Sequence, residues 1–219
     1  MPFKFPRMNF SGDHNLGLYG FATESYCLLG FSDAAKPVSS ALKVPVITST
    51  LFGTELCGVF AAGNDNGIIL TPMIEKEEIA SLKTSLKNLN VLILDTKYTA
   101  IGNLILTNNK GCIISPLLSQ HRKEIEECLG VPVESGKIGG FETVGSAALT
   151  TEKGCLTTNT ATEEELKWIE SVLKVKTDLG TVSRGSPFIH SALIVNSLAA
   201  ICSESCTGPE LGRIGEVFE

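Results

Sequence analysis

The chain carries only three histidines, one tryptophan and no run of lysine or arginine. Each scarcity removes a class of function. Without a basic stripe nothing neutralises a line of phosphates, and the formal net charge of −6 argues against nucleic-acid tracking and DNA binding. No apolar stretch is long enough to cross a membrane. Met1 to Asn9, though basic, lacks the apolar run of a secretion signal, so a soluble, cytoplasmic protein is expected. The phosphate-cradling P-loop and the dinucleotide-binding glycine fingerprint are both missing. The seven cysteines are odd in number, never spaced Cys-x-x-Cys and without paired histidines. That argues against a disulfide scaffold or a zinc site, so no metal is expected, and with those two motifs missing no cofactor either.

What the chain has instead is a repeat of about 44 residues, present five times. Cys57-Gly58-Val59-Phe60, Ile101-Gly102-Asn103-Leu104 and Val144-Gly145-Ser146-Ala147 open three copies. Gly67, Gly111 and Gly154 mark the turn that follows in each. The pattern extends back to Gly17 and Tyr26 and forward to His190 and Leu198. Units of this size do not bury their own apolar face, so neighbours must stack or close into a ring. The chain is therefore expected to form one domain over residues 1–219, with units at approximately 11–48, 49–94, 95–138, 139–181 and 182–219.

Placed on the repeat, the cysteines lose their chemistry. Cys27, Cys112 and Cys155 share one position with Ile68 and Ala199, and Cys57 matches Ile101, Val144 and Ile189. Those are packing sites, at which cysteine acts as a small hydrophobe in a reducing compartment.

Each unit reads strand, turn, strand, helix, strand. In the second, Gly58–Ala62 and Ile68–Thr71 flank the turn residues Gly63-Asn64-Asp65-Asn66-Gly67. A helix over Glu75–Leu89 with Ile79, Leu82 and Leu86 on one face precedes the strand Val91–Leu94. The third has strands at Ile101–Thr107, Cys112–Ser115 and Val131–Glu134 around a helix near Gln120–Leu129. Thr162-x-x-Glu165 and Thr207-x-x-Glu210 are capping boxes that start the last two helices. The fifth unit ends on its helix with no final strand, while Phe3–Phe5 and Met8–Phe10 lie outside the first unit. Residues 1–10 are therefore expected to complete the fifth unit and remove an open edge.

Five such units resemble the pentein fold, a five-fold pseudosymmetric α/β propeller. Val44-Pro45-Val46, Ala100-Ile101-Gly102-Asn103-Leu104, Val144-Gly145-Ser146, Gly180-Thr181-Val182-Ser183-Arg184-Gly185-Ser186 and Thr207-Gly208-Pro209-Glu210-Leu211 together resemble the translation initiation factor six family. The resemblance implies a ribosome anti-association factor that binds the joining face of the large ribosomal subunit. It would block premature small-subunit joining and take part in subunit maturation. The implied partner is an L14-type ribosomal protein near the sarcin-ricin region of rRNA. The factor would act as a monomer, in the cytoplasm and, in a eukaryote, also in the nucleus and nucleolus. An acidic disc suits a basic protein partner.

Fivefold symmetry would gather the unit openings into a ring of Gly17-Leu18, Gly58-Val59, Gly102-Asn103, Gly145-Ser146 and His190-Ser191, each expected at the start of a first strand. The resemblance places the docking surface at this end, with Asn103 among its contacts. Val59 departs from the arginine of many eukaryotic relatives, and His190 from a small residue. The chain also stops at Glu219, without the tail of longer relatives. Other penteins modify guanidine groups with a Cys nucleophile and a His acid/base, roles for which Cys206 and His190 are the candidates. Cys206 directly precedes the helix cap Thr207, and no acid pair lies on the first strands, so binding is the expected activity.

Overall fold

A computed structural model describes residues 3–87 and 89–219. Met1, Pro2 and Asn88, which fall within the expected first strand segment and the expected second-unit helix, lie outside the described residues. Strand β1 (Arg7–Met8) precedes the first unit, which comprises α1 (Leu16–Tyr19), β2 (Gly20–Ala22), β3 (Cys27–Leu29), α2 (Ala35–Leu42) and β4 (Val46–Thr48). The second comprises α3 (Cys57–Phe60), β5 (Ala61–Gly63), β6 (Gly67–Leu70), α4 (Lys76–Ser85) and β7 (Asn90–Ile93). The third has α5 (Ile101–Leu104), β8 (Ile105–Thr107), β9 (Cys112–Ile114), α6 (Arg122–Leu129) and β10 (Val133–Ser135). The fourth has α7 (Val144–Ala147), β11 (Ala148–Thr150), β12 (Gly154–Thr158), α8 (Glu163–Leu173) and β13 (Lys176–Gly180). In the fifth a 3-10 turn (Ile189–Ala192) replaces the opening helix, followed by β14 (Leu193–Asn196), β15 (Ala199–Ser203) and α9 (Gly208–Phe218).

These elements form five separate three-stranded sheets, a pseudo-fivefold α/β arrangement rather than a continuous barrel. Within each unit the hairpin strands pair antiparallel, and in the first four units the third strand returns parallel to the second after the helix. The fifth sheet takes its outer strand from the start of the chain: β1 runs parallel to β15, with Arg7 opposite Cys202 and Met8 opposite Ser203.

The five hairpins share one local device. A side-chain oxygen of Asn64 accepts the backbone N–H of Asn66 and Gly67, and Asn108 does the same for Lys110 and Gly111. Thr23, Thr151 and Asn196 repeat the arrangement. This is the local hydrogen bonding that makes such residues turn formers. It also aligns the fifth hairpin, where Ala199, not Leu198, stands at the position of Gly67. Leu198 lies one residue off the repeat and is exposed, and Ala200, not Ala199, is the counterpart of Cys27.

The core is divided into five clusters, each between neighbouring units. One joins Ile69 and Ala62 of the second unit to Leu104 and Ile125 of the third. Another joins Leu16, Leu29 and Leu42 of the first to Ile194 and Ile201 of the fifth. All seven cysteines are buried and free. Desolvation pushes the Cys57, Cys112, Cys155 and Cys202 thiols up to about 12, so they remain protonated packing groups.

The expected element boundaries also need correction. The strands predicted from Gly58 and Ile101 begin instead at Ala61 and Ile105, because each unit opens with a single helical turn. The helix predicted over Glu75–Leu89 covers Lys76–Ser85, with Glu75 as its cap. Leu86 leaves helical geometry at φ −105° and ψ 50° while its side chain remains in the core.

Candidate docking face

The helical turns that open the units meet at one end of the molecule. Their second residues are Gly17, Gly58, Gly102, Gly145 and His190. A Cβ added at Gly58 would overlap the carbonyl oxygen of Gly17. The same relation links Gly102 to Gly58, Gly145 to Gly102 and Gly17 to His190. Glycine is required at these four positions because each backbone carbonyl approaches the next α-carbon directly. The ring therefore lies on helical turns, not on strand entrances.

At the fifth position a side chain takes over the contact. His190 donates from Nδ1 to the Gly145 carbonyl over 3.1 Å, so the neutral ring carries its proton there and Nε2 is an acceptor. Burial pushes its pKa down and outweighs the opposing effect of that bond. Nε2 is itself buried without a protein partner. His190 lines both the outer cavity and a smaller one of about 40 Å³ along the axis, whose walls include Phe21, Ala62, Gly102, Ile105 and Gly145.

The outer cavity, about 450 Å³, gathers Gly17, Leu18, Asn103, Ser146, His190 and Ser191, joined by Asn15, Thr143, Ser186 and Phe188. The four ring glycines are buried, while the ring followers Leu18, Val59, Asn103, Ser146 and Ser191 are half-buried and so keep partial surface. Gly58 and Val59 belong to the ring but not to the cavity lining. Sequence periodicity missed Phe188, Thr143 and Ser186, which precede or flank the helical turns; their proximity comes only from the closed arrangement.

This end also holds most of the exposed large apolar side chains. Among the described residues the large apolar side chains that stay exposed are Phe52, Met73, Ile93, Phe188 and Leu198. Phe52 stacks edge-on toward Phe60 of α3, with ring centroids 6.2 Å apart. Ile93 is the register partner of Leu70, which also pairs with Ala61 at the end of α3. Met73 follows three residues after Leu70. All four apart from Leu198 thus sit at the glycine-ring end, and Leu198 is in the fifth hairpin at the other.

The residues cast for catalysis are placed differently. Cys206 is 3% exposed in an apolar cluster with Phe3, Cys202 and Phe218, and its thiol is pushed up by burial. A protonated, enclosed thiol is a poor nucleophile. The His190 bond goes to a backbone carbonyl, not to a thiol or carboxylate. Among the described residues no group of His, Cys, Asp or Glu is arranged to hold a metal ion, and no helix is long and apolar enough to cross a membrane.

The five small sheets form a five-fold pseudosymmetric α/β fold with a cavity at its glycine-ring end. Its family follows from comparison. The eIF-6 family matches residues 5–217. A "Translation initiation factor 6" of Methanococcus vannielii is 38% identical over 218 residues, covering 96% of each chain. That of Pyrococcus abyssi is 36% identical over 97% of each, and that of Pyrobaculum arsenaticum 42% identical over 83% of this chain and 82% of its own. The chain belongs to the eIF-6 family.

Proposed function

We propose that this protein is a translation factor that acts on the large ribosomal subunit. In this reading it docks its glycine-ring end on the joining face through an L14-type ribosomal protein near the sarcin-ricin region. It thereby blocks premature small-subunit joining and accompanies subunit maturation in the cytoplasm, and also in the nucleus if the source is eukaryotic. Membership of a family whose relatives are named translation initiation factors supports the process. The observation that carries the mode of action is the one-sided surface: the cavity, the small followers of the ring residues and nearly all the exposed large apolar side chains share one end. Such a concentration supports an interaction site at that end. Buried, protonated thiols favour binding over the guanidine-modifying alternative.

Co-sedimentation through a sucrose gradient tests this directly. The protein should travel with large subunits and reduce formation of joined ribosomes; free migration with normal joining would refute it. Asn103→Arg should weaken that binding roughly tenfold or more, the equivalent of about 1.4 kcal/mol, by placing a long cation in a cavity that receives a basic protein. The urea midpoint should stay within the range of a surface change, because Asn103 is half-buried.

A further inference from the structure

Phe52 stands in a turn where its backbone works against it. Its φ is +55°, followed by Gly53 at +66°, inside a turn bracketed by Leu51 and Thr54. Left-handed backbone is unusual for a residue with a bulky side chain and persists only where the surroundings impose it. Equivalent turns in other units place Ser11 at +52°, Gly139 at +59° and Ser183 at +47°. At this first position of the turn small residues are the rule and phenylalanine is the exception, although the Val182–Ser186 turn also holds Arg184 at +67° one residue later.

The surroundings that impose it are visible. The buried carboxylate of Glu78 accepts the Phe52 N–H at 2.9 Å and the Gly53 N–H at 3.0 Å, while also closing the cap of α4 through Glu75 N–H at 3.0 Å. The turn is therefore locked to the helix behind it. Burial does not repay the unfavourable backbone, since Phe52 is 42% exposed and meets Phe60 only edge-on. The locked turn fixes the backbone beneath an exposed aromatic before a partner arrives, which lowers the ordering cost of using it as an interface anchor.

Phe60 packs beside it, Met73 and Ile93 are the other exposed large apolar side chains of the second unit, and Glu55, Glu75 and Asp95 border these residues in the chain. Lys76 and Lys97 are the neighbouring cations, and Lys97 is drawn over the Tyr98 ring at 5.2 Å. Carboxylates outnumber cations along these segments, in keeping with the acidic chain. We propose that Phe52 is the preorganised anchor of a second contact area on the docking face, and that it receives an apolar segment flanked by lysine or arginine from a protein of the large subunit. This rests on the large-subunit reading above and adds the residue and the chemistry of its partner.

Phe52→Gly separates anchoring from folding, because glycine suits the left-handed turn. With purified large subunits, the variant should bind at least tenfold more weakly, while its urea midpoint is equal to or above that of the parent. A Leu198→Ser control at the opposite end should bind like the parent. Glu55→Lys combined with Asp95→Lys should weaken binding further and flatten its salt dependence. Unchanged binding of Phe52→Gly, or a fall in its midpoint comparable to a core truncation, overturns the anchor. Tighter binding of the double lysine variant overturns the basic partner and points to rRNA. Failure of the parent protein itself to bind subunits instead refutes the reading on which the anchor rests.

Discussion

Four α-carbons, at Gly17, Gly58, Gly102 and Gly145, each face the carbonyl of the preceding unit, and no larger residue fits without moving backbone. Gly102→Ala should therefore destabilise at or beyond the upper end of the about 1–3 kcal/mol range for overpacking, seen as a lower urea midpoint with unchanged slope. Gly212 provides the opposite sign. It lies exposed within α9 with open space around its α-carbon, so Gly212→Ala should stabilise by about 0.5–1 kcal/mol. Equal effects from the two changes would show that the ring contact is not what demands glycine. The spacing of Gly58, Gly102 and Gly145 was legible because a repeated steric demand leaves a repeated residue. The helical turn around each was not, because four residues are too few to show a period of 3.6. Nor was the bond between His190 and Gly145, which joins units distant in sequence.

At the level of elements, the helix starts do more than cap. The N3 glutamate of three helices reaches backward to the turn that begins its own unit. Glu78 accepts Phe52 and Gly53, Glu165 accepts Gly139, and Glu210 accepts Arg184 and Gly185. The boxes at Thr162 and Thr207 could be read from sequence, since threonine and glutamate at that spacing have a local meaning. The third box, Glu75 with Glu78, was hidden by an unusual cap residue, and the reach to the turn is tertiary in every case. Burial alone would raise the carboxyls of Glu78 and Glu210, but the surrounding backbone N–H groups prevail and hold both below the usual glutamate value. Folding thus favours their charged form. Their contribution is fully present above about pH 4.3, the ordinary glutamate value, and is lost as the pH falls through the lower folded value. Glu210→Gln, which leaves part of the N–H cluster unpaired, should cost about 1–3 kcal/mol at pH 7. That gap should narrow as both proteins are titrated below about pH 4.3, as read from urea midpoints. A gap independent of pH would mean that packing, not charge, is what Glu210 supplies.

Across the whole molecule, no unit owns its core. Each cluster is shared by two neighbours, and hairpin side chains fasten one unit to the next: Asn64 donates to the Leu129 carbonyl at the end of α6, Asn108 to Leu173 at the end of α8, and Asn196 to Leu42 at the end of α2. The last of these joins the fifth unit to the first. Stability in such a ring depends on closure, and closure depends on the opening residues of the chain. Phe3 is 8% exposed within the cluster of the fifth unit, Phe10 is 2% exposed between the first and fifth, and β1 covers the outer edge of β15. A protein beginning at Ser11 loses both side chains, each worth about 3–5 kcal/mol in truncation experiments, and leaves Ala199–Ser203 as a bare strand edge. Its melting temperature should fall by more than about 10 °C, given about 2–4 °C per kcal/mol for a chain of this size. Exposure of an apolar edge should also make it associate, visible as growth in scattering below the transition. Supplying residues 3–10 as a synthetic peptide should restore the parent transition if pairing with β15 is the cause. A truncated protein that melts like the parent and stays monomeric would show that the ring holds without its first strand.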